Sequence, residues 1–252
     1  MISKNKKKVI LVASALAFAA GSAHAIVIAG VDYNNNLSFP TLSTAVFTAP
    51  QTYNLTGDLS GWAVKISGQF SDAAYALNPS RPYSVSTTNL SGFPFENSQF
   101  PGAEGLYFQE LPDLYAGNNI TVTFSFEFIR SGGLNSLMLA VYGGESSDHE
   151  IDMLTNTGSV FSNYSTLNLT SATGQGTNTA TFSTIPDPVG NGEFIATTGV
   201  NDGDIITWTY DYQFSGAGKN MIAFNAASVP EPSSGLIVAA TMLLGVFRRS
   251  RK

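Results

Sequence analysis

The chain has no cysteine, and that absence removes several chemistries at once. No disulfide can form, no thiolate can hold a metal, and no thiol can act as nucleophile. Histidine is nearly as scarce, with His24 and His149 alone. His24 falls inside an N-terminal leader-like segment, so a Ser-His-Asp arrangement would have to use His149. No Gly-x-Ser-x-Gly elbow accompanies it, and the sequence marks it as a surface-loop histidine within Glu145-Ser146-Ser147-Asp148-His149-Glu150. No catalytic residue and no enzymatic activity are expected. Paired carboxylates could in principle hydrolyse glycosides, but in so acidic a chain some pair always stands at a suitable separation, so their number is no signal.

Positive charge is scarce in the middle of the chain and concentrated at its ends. Residues 26–228 hold only Lys65, Arg81, Arg130 and Lys219 against 17 acids, a net charge near −13. Nothing there could neutralise phosphates, so nucleic acid is not an expected partner. Such an acidic domain attracts cations, calcium above all, although solubility alone also accounts for the charge.

Long apolar runs are lacking too. The two that exist are short and terminal. Lys4, Lys6, Lys7 and Lys8 precede an apolar run at 9–20, and Ala23-His24-Ala25 follows as an A-x-A cleavage site. This pattern predicts a secretory signal peptide over 1–25, cut after Ala25 by signal peptidase once the secretion translocon has engaged it. At the other end, the uncharged run 235–247 would span roughly 20 Å as a helix, less than the roughly 30 Å hydrocarbon core. Arginine stems flanking it can snorkel, which makes it a weak transmembrane segment. Lysines before the first run and arginines after the second both favour the cytoplasmic side and place the intervening domain outside.

What is present in quantity is strand-forming sequence. Ser, Thr, Asn and Gly fill the polar positions of 26–228, and good helix formers are few. The clearest strand is 119–130, where Ile120, Val122, Phe124, Phe126 and Phe128 share one parity and Thr121, Thr123, Ser125 and Glu127 the other. Strands are also expected at 53–56, 62–70, 137–142, 160–164, 166–169, 179–184, 194–197, 205–214 and 221–227, with an edge strand and loop over 26–50. Residues 117–128 align without gaps on 203–214, two strands of the same patterning. About ten strands and short turns predict an all-β fold: a single β-sandwich, jelly-roll-like, over 26–228. The stretch 71–113, with five prolines and many aromatics, reads as a long loop.

Binding residues are expected in three places. Asp148, Glu150 and Asp152 alternate, so an extended backbone puts them on one side, and Asp202-Gly203-Asp204 is a tight acidic turn. Both offer the hard oxygens that Ca²⁺ takes, and ordinary turn chemistry accounts equally for the second. The aromatics Tyr75, Tyr83 and Tyr107, with Phe95 and Phe108, could stack on sugar rings or pack locally. Trp208 lies on the apolar parity of its strand and is expected in the core. Five Asn-x-Ser/Thr sequons, at Asn54, Asn89, Asn119, Asn163 and Asn168, are no more than this composition produces by chance.

The tail carries the most specific signal. Val229-Pro230-Glu231-Pro232-Ser233 is a stiff, extended pentapeptide, because each proline fixes its own φ and restrains the residue before it. The apolar run follows, and Arg248-Arg249-Ser250-Arg251-Lys252 ends the chain. These last 24 residues resemble the PEP-CTERM sorting signal found on exported proteins of bacteria that make an exopolysaccharide matrix. The resemblance covers 229–252 only. It implies processing near Pro230–Pro232 by a membrane-bound exosortase, which would supply the nucleophile. It further implies transient anchoring in the inner membrane and a final place at the cell surface or in the extracellular biofilm matrix. The expected role is structural or adhesive within exopolysaccharide. The alternatives are a calcium-dependent carbohydrate-binding module and, third, a glycan-active hydrolase.

Overall fold

The structure is a computed structural model that describes residues 26–37, 44–71, 83–89, 104–110, 120–145, 150–183, 192–212 and 219–227. The predicted signal peptide with Ala23 and Ala25, the motif Val229–Ser233, Tyr75 and Asp148 lie outside the described residues. So do the two apolar terminal runs. Among the described residues no helix is long and apolar enough to cross a membrane.

Among the described residues sixteen strands follow one another. They are β1 (Ile26–Ile28), β2 (Val31–Tyr33), β3 (Asn35–Asn36), β4 (Gln51–Asn54), β5 (Trp62–Phe70), β6 (Tyr83–Asn89), β7 (Glu104–Glu110) and β8 (Ile120–Arg130). Then come β9 (Leu137–Glu145), β10 (Glu150–Asn156), β11 (Ser162–Leu167), β12 (Ser171–Thr173), β13 (Thr179–Ser183), β14 (Gly192–Val200), β15 (Ile205–Tyr212) and β16 (Lys219–Ala227). The fold is all-β, and its sheets are antiparallel and open. The first sheet runs β12-β13-β10-β15-β8-β5-β4; the second runs β11-β14-β9-β16-β7-β6, with β3 added beside β16. Four pairings are nested: β10 with β13, β9 with β14, β8 with β15, and β7 with β16.

Alternation decides which side chains meet. In β5 and β8, Trp62, Val64, Ile66, Phe70, Val122, Phe124, Phe126 and Phe128 all point inward and are at most 3% exposed. The second sheet answers with Leu137, Leu139, Val141, Phe194, Ala196, Val200, Ile222 and Phe224. The two layers touch through aromatic rings. Phe126 meets Phe224 edge-on at 4.8 Å, and Phe182 stacks on Phe194 at 3.9 Å, both within the range where ring pairs attract. Gly68 takes the one inward place in β5 without a side chain, because the Phe47 ring, from the short 3-10 turn Thr44–Phe47, lies over it. Phe47 in turn stacks on Phe70 at 4.3 Å.

The second sheet is buried on its outer face as well. Tyr33 packs there with Ala140, Tyr142, Ile195, Met221, Ala223 and Ala227, and Ile28 lies against them. The cover is the β1–β2 hairpin, whose two-residue turn is made by Ala29 and Gly30 at φ 50° and 80°. Positive φ at both positions matches the twist that hairpin strands need.

Several expectations require correction. The stretch 71–113 is not a plain loop, since it contributes β6 and β7 to the second sheet. The acidic segment around His149 is a shorter loop than the sequence implied: Glu145 ends β9, and Glu150 already begins β10. The strand expected at 194–197 is nine residues long and sits inside the sheet. The two strands of matching pattern, β8 and β15, are direct antiparallel neighbours, with Phe124 opposite Trp208 and their rings 5.7 Å apart.

Candidate functional site

At one end of the first sheet, the turn after β14 gathers the carboxylates expected to bind calcium. Gly203 has φ 83°, a left-handed conformation that glycine adopts without strain. Asp202 Oδ1 accepts a hydrogen bond from the Arg130 amide at 2.8 Å. Asp204 Oδ2 accepts from the Asn201 amide at 2.7 Å and from its Nδ2 at 3.2 Å. On the far side Gly158 lies so close to the Asp204 carboxylate that a Cβ there would collide with it. Both acids therefore satisfy backbone donors: Asp202 ties the β14–β15 connection to the end of β8, and Asp204 closes the turn on itself.

Asp152, expected on one side of an extended segment with Asp148 and Glu150, lies in β10. It points inward from β10, is 6% exposed, and accepts from Trp208 Nε1 at 2.6 Å. Trp208, as expected, is core at 1% exposed. Glu150 stands opposite Tyr212 in the ladder, and its side chain lies outside the described ones. The same holds for the side chains of Tyr83 in β6 and Tyr107 in β7. Thus of the expected calcium residues, Asp202 and Asp204 come together and Asp152 lies apart in the core. Among the described residues no three His, Cys, Asp or Glu side chains are grouped to hold a metal ion.

The polar arrangement that sequence reasoning missed is on the outer face of the second sheet. Glu193, wholly buried in β14, accepts from the Tyr142 hydroxyl of β9 at 3.1 Å. Two residues along the same face, the Thr197 hydroxyl donates to the Ser162 carbonyl at 3.1 Å and accepts from Asn163 Nδ2 at 2.8 Å. The Tyr33 side chain hydrogen-bonds the same Thr197; burial pushes the Tyr33 phenol up from its ordinary value, and that bond opposes the rise. Asn225 of β16 reaches the Tyr33 carbonyl at 3.4 Å. A phenol and a carboxylate in contact can exchange a proton, but both are inaccessible to solvent here. Their contact joins β9 to β14 rather than facing a substrate.

One signal for this region was in the sequence. Phe194 and Ile195 are adjacent and both apolar, so a strand through them must be covered on both faces. A glutamate beside that pair is then forced inside. A second polar link joins the layers themselves: Asn156 Nδ2 donates to Thr198 Oγ1 at 2.8 Å and to the Gly199 carbonyl at 2.9 Å.

Tyr53 is pushed up by burial, and burial takes Tyr164 to about 12. Compared with protein-family models, with curated proteins and with solved structures, the chain has no match.

Proposed function

We propose that this chain is an exported protein of the bacterial surface or extracellular matrix, sorted by its last 24 residues and serving a structural or adhesive role. The observation that carries the reading is the order Val229-Pro230-Glu231-Pro232-Ser233, apolar run, basic end, matched by a leader with an Ala23-His24-Ala25 cleavage motif. In this reading an exosortase processes the chain near Pro230–Pro232, and exopolysaccharide surrounds the product.

For the domain between, we infer a jelly-roll sandwich. With β7, β8, β9, β10, β13, β14, β15 and β16 taken as first to eighth, the sheets run first-eighth-third-sixth and second-seventh-fourth-fifth. That is one long antiparallel hairpin wrapped around a core, as a double Greek key requires. The scaffold role is supported by how Asp152, Asp202, Asp204 and Glu193 are used: each accepts a hydrogen bond that holds the fold.

Two experiments test the proposal. In a host that carries an exosortase, the wild-type chain is expected to lose its tail and leave the membrane, whereas Pro230→Ala/Pro232→Ala stays full-length and membrane-bound. Equal processing of both chains would overturn the sorting assignment. Purified 26–228 is then co-sedimented with the host exopolysaccharide in calcium and in EDTA. Weak retention indifferent to EDTA fits a matrix scaffold; saturable binding lost in EDTA would replace it with the calcium-dependent glycan module.

A further inference from the structure

The N-terminal segment 26–37 closes the fold as a strap. Its hairpin lies on the outer face of the second sheet, and β3 then pairs with β16 through Asn35 opposite Ala226 and Asn36 opposite Asn225. Leu37 continues the contact, its amide donating to the Phe224 carbonyl at 2.9 Å. β16 needs this neighbour. On the same flank β7 pairs only with Lys219–Ile222, so without the strap the far half of a central strand would show an open edge.

The strap combines strong anchors with a poor seam. Tyr33 is 1% exposed and Leu37 fully buried, so the segment fills specific pockets. Yet its ladder is two residues long, and the Asn225 bond to Tyr33 is stretched to 3.4 Å. At that seam the buried oxygens Asn36 Oδ1 and Asn225 Oδ1 accept no hydrogen bond among the described residues, a cost to the docked state. Three other sheet edges are blunted, β6 being the fourth edge: β12 has three residues, β4 follows Pro50, and β11 carries a bulge between Ser162 and Ser165 with Asn163 at φ 53°.

We propose that the strap exchanges between copies of this chain, residues 26–37 of one molecule docking beside β16 of another. The occupant is a second copy because the groove is already complementary to this segment, and every copy offers the same one. The groove is floored by small side chains, Ala140, Ala223 and Ala227, which leave room for Tyr33. Six residues, 38–43, join the strap to the rest, and six residues fully extended span roughly 20 Å, enough to reach a touching neighbour. Exchange keeps every contact of the closed form and changes only which molecule supplies it, the economy that makes swapping a low-cost route to association. Main-chain pairing would give affinity, and Tyr33 and Leu37 specificity, as in strand addition generally. The inference requires neither the sorting tail nor a glycan and takes from the proposed function only cleavage of the leader after Ala25, so failure of the sorting or glycan experiments leaves it untouched.

The absence of cysteine makes the test clean. In the chain from Ile26, Asn36→Cys/Asn225→Cys places two thiols on register partners, within the span a disulfide bridges. Oxidised after incubation at high concentration, it is expected to give dimer and longer bands on a non-reducing gel that collapse with reductant. The single variants would give no band beyond dimer. Monomer alone at every concentration would overturn the proposal. Should the double variant fail to fold, two differently tagged wild-type chains are mixed at high concentration and one tag is captured. Co-purification of the other, lost in Tyr33→Ala, is expected; its absence would refute exchange.

Discussion

The two sheets differ in what covers them. The first is wet on one side: β5 alternates buried and half-exposed residues from Trp62 to Ser67, and β8 does the same from Thr121 to Ile129. Among the described side chains the second is dry on both sides through β14, β16 and β9 from Leu139 onward, and in β14 eight of nine residues are buried. A half-wet sheet can vary its outer positions freely. A doubly covered one offers its polar groups no water, so they pair internally where they can: Glu193, Thr197 and the Asn225 amide nitrogen are wired to Tyr142, Ser162 and Tyr33.

The comparison is tested most severely where the sheets meet. Phe224 contacts both Phe126 and Phe128, so Phe224→Ala removes a ring from the centre of the shared core. We expect a loss of about 3–5 kcal/mol, read as a lower urea midpoint with an unchanged slope. A loss under about 1 kcal/mol would mean the layers do not share one core. Overfilling should cost less. A Cβ on Gly143 would run into the Phe194 ring, itself stacked on Phe182, so Gly143→Ala is expected to cost about 1–3 kcal/mol. The control Gly132→Ala meets open space and should change the midpoint little.

The difference between the sheets also decided what could be read from the sequence. Thr121, Thr123, Ser125 and Glu127 reach the surface of the first sheet, so period-two alternation appears and β8 and β5 were legible to within a residue or two. In β14 burial on both faces erases alternation. The run Gly-Glu-Phe-Ile-Ala-Thr-Thr-Gly-Val shows no period, and only its middle was readable as strand. β6 and β7 were hidden by the prolines and aromatics around them, which read as a loop. Of the expected sites, Asp202 and Asp204 were found together as a turn. Asp152 was read as part of an extended segment, but its inward direction was not legible, because alternation tells which residues share a face and not which face is inside.

On the doubly covered sheet, Tyr142→Phe leaves the fold's shape intact and takes a donor from a buried carboxylate. The expected cost is about 1–2 kcal/mol, measured in urea at pH 7, because a buried acceptor loses a partner that water cannot replace. The matching change on the wet sheet is Thr123→Val, which breaks a half-exposed hydroxyl contact with Thr209 at 3.1 Å and should cost less. Equal losses would mean that the outer cover does not exclude water from Glu193.

The smallest effect is expected at Tyr164, on the bulged edge strand β11. Its hydroxyl is buried without a hydrogen-bond partner among the described residues, while its ring packs against Phe182 at 5.2 Å. Tyr164→Phe keeps the ring and removes the orphan oxygen, so at pH 7 the variant should equal the wild type or exceed it by up to about 1 kcal/mol. The pH dependence then sharpens the test. Burial holds the folded phenol at about 12, above the unfolded value near 10. Below pH 10 the phenol is neutral in both states and contributes no slope. Between 10 and 12 the unfolded chain releases a proton that the folded chain keeps, so wild-type stability falls as pH rises. Tyr33 and Tyr53 tilt the same way but do so in both proteins. Urea midpoints at pH 9, 10 and 11 should therefore separate in favour of Tyr164→Phe, and parallel curves would show that this hydroxyl is hydrated in solution.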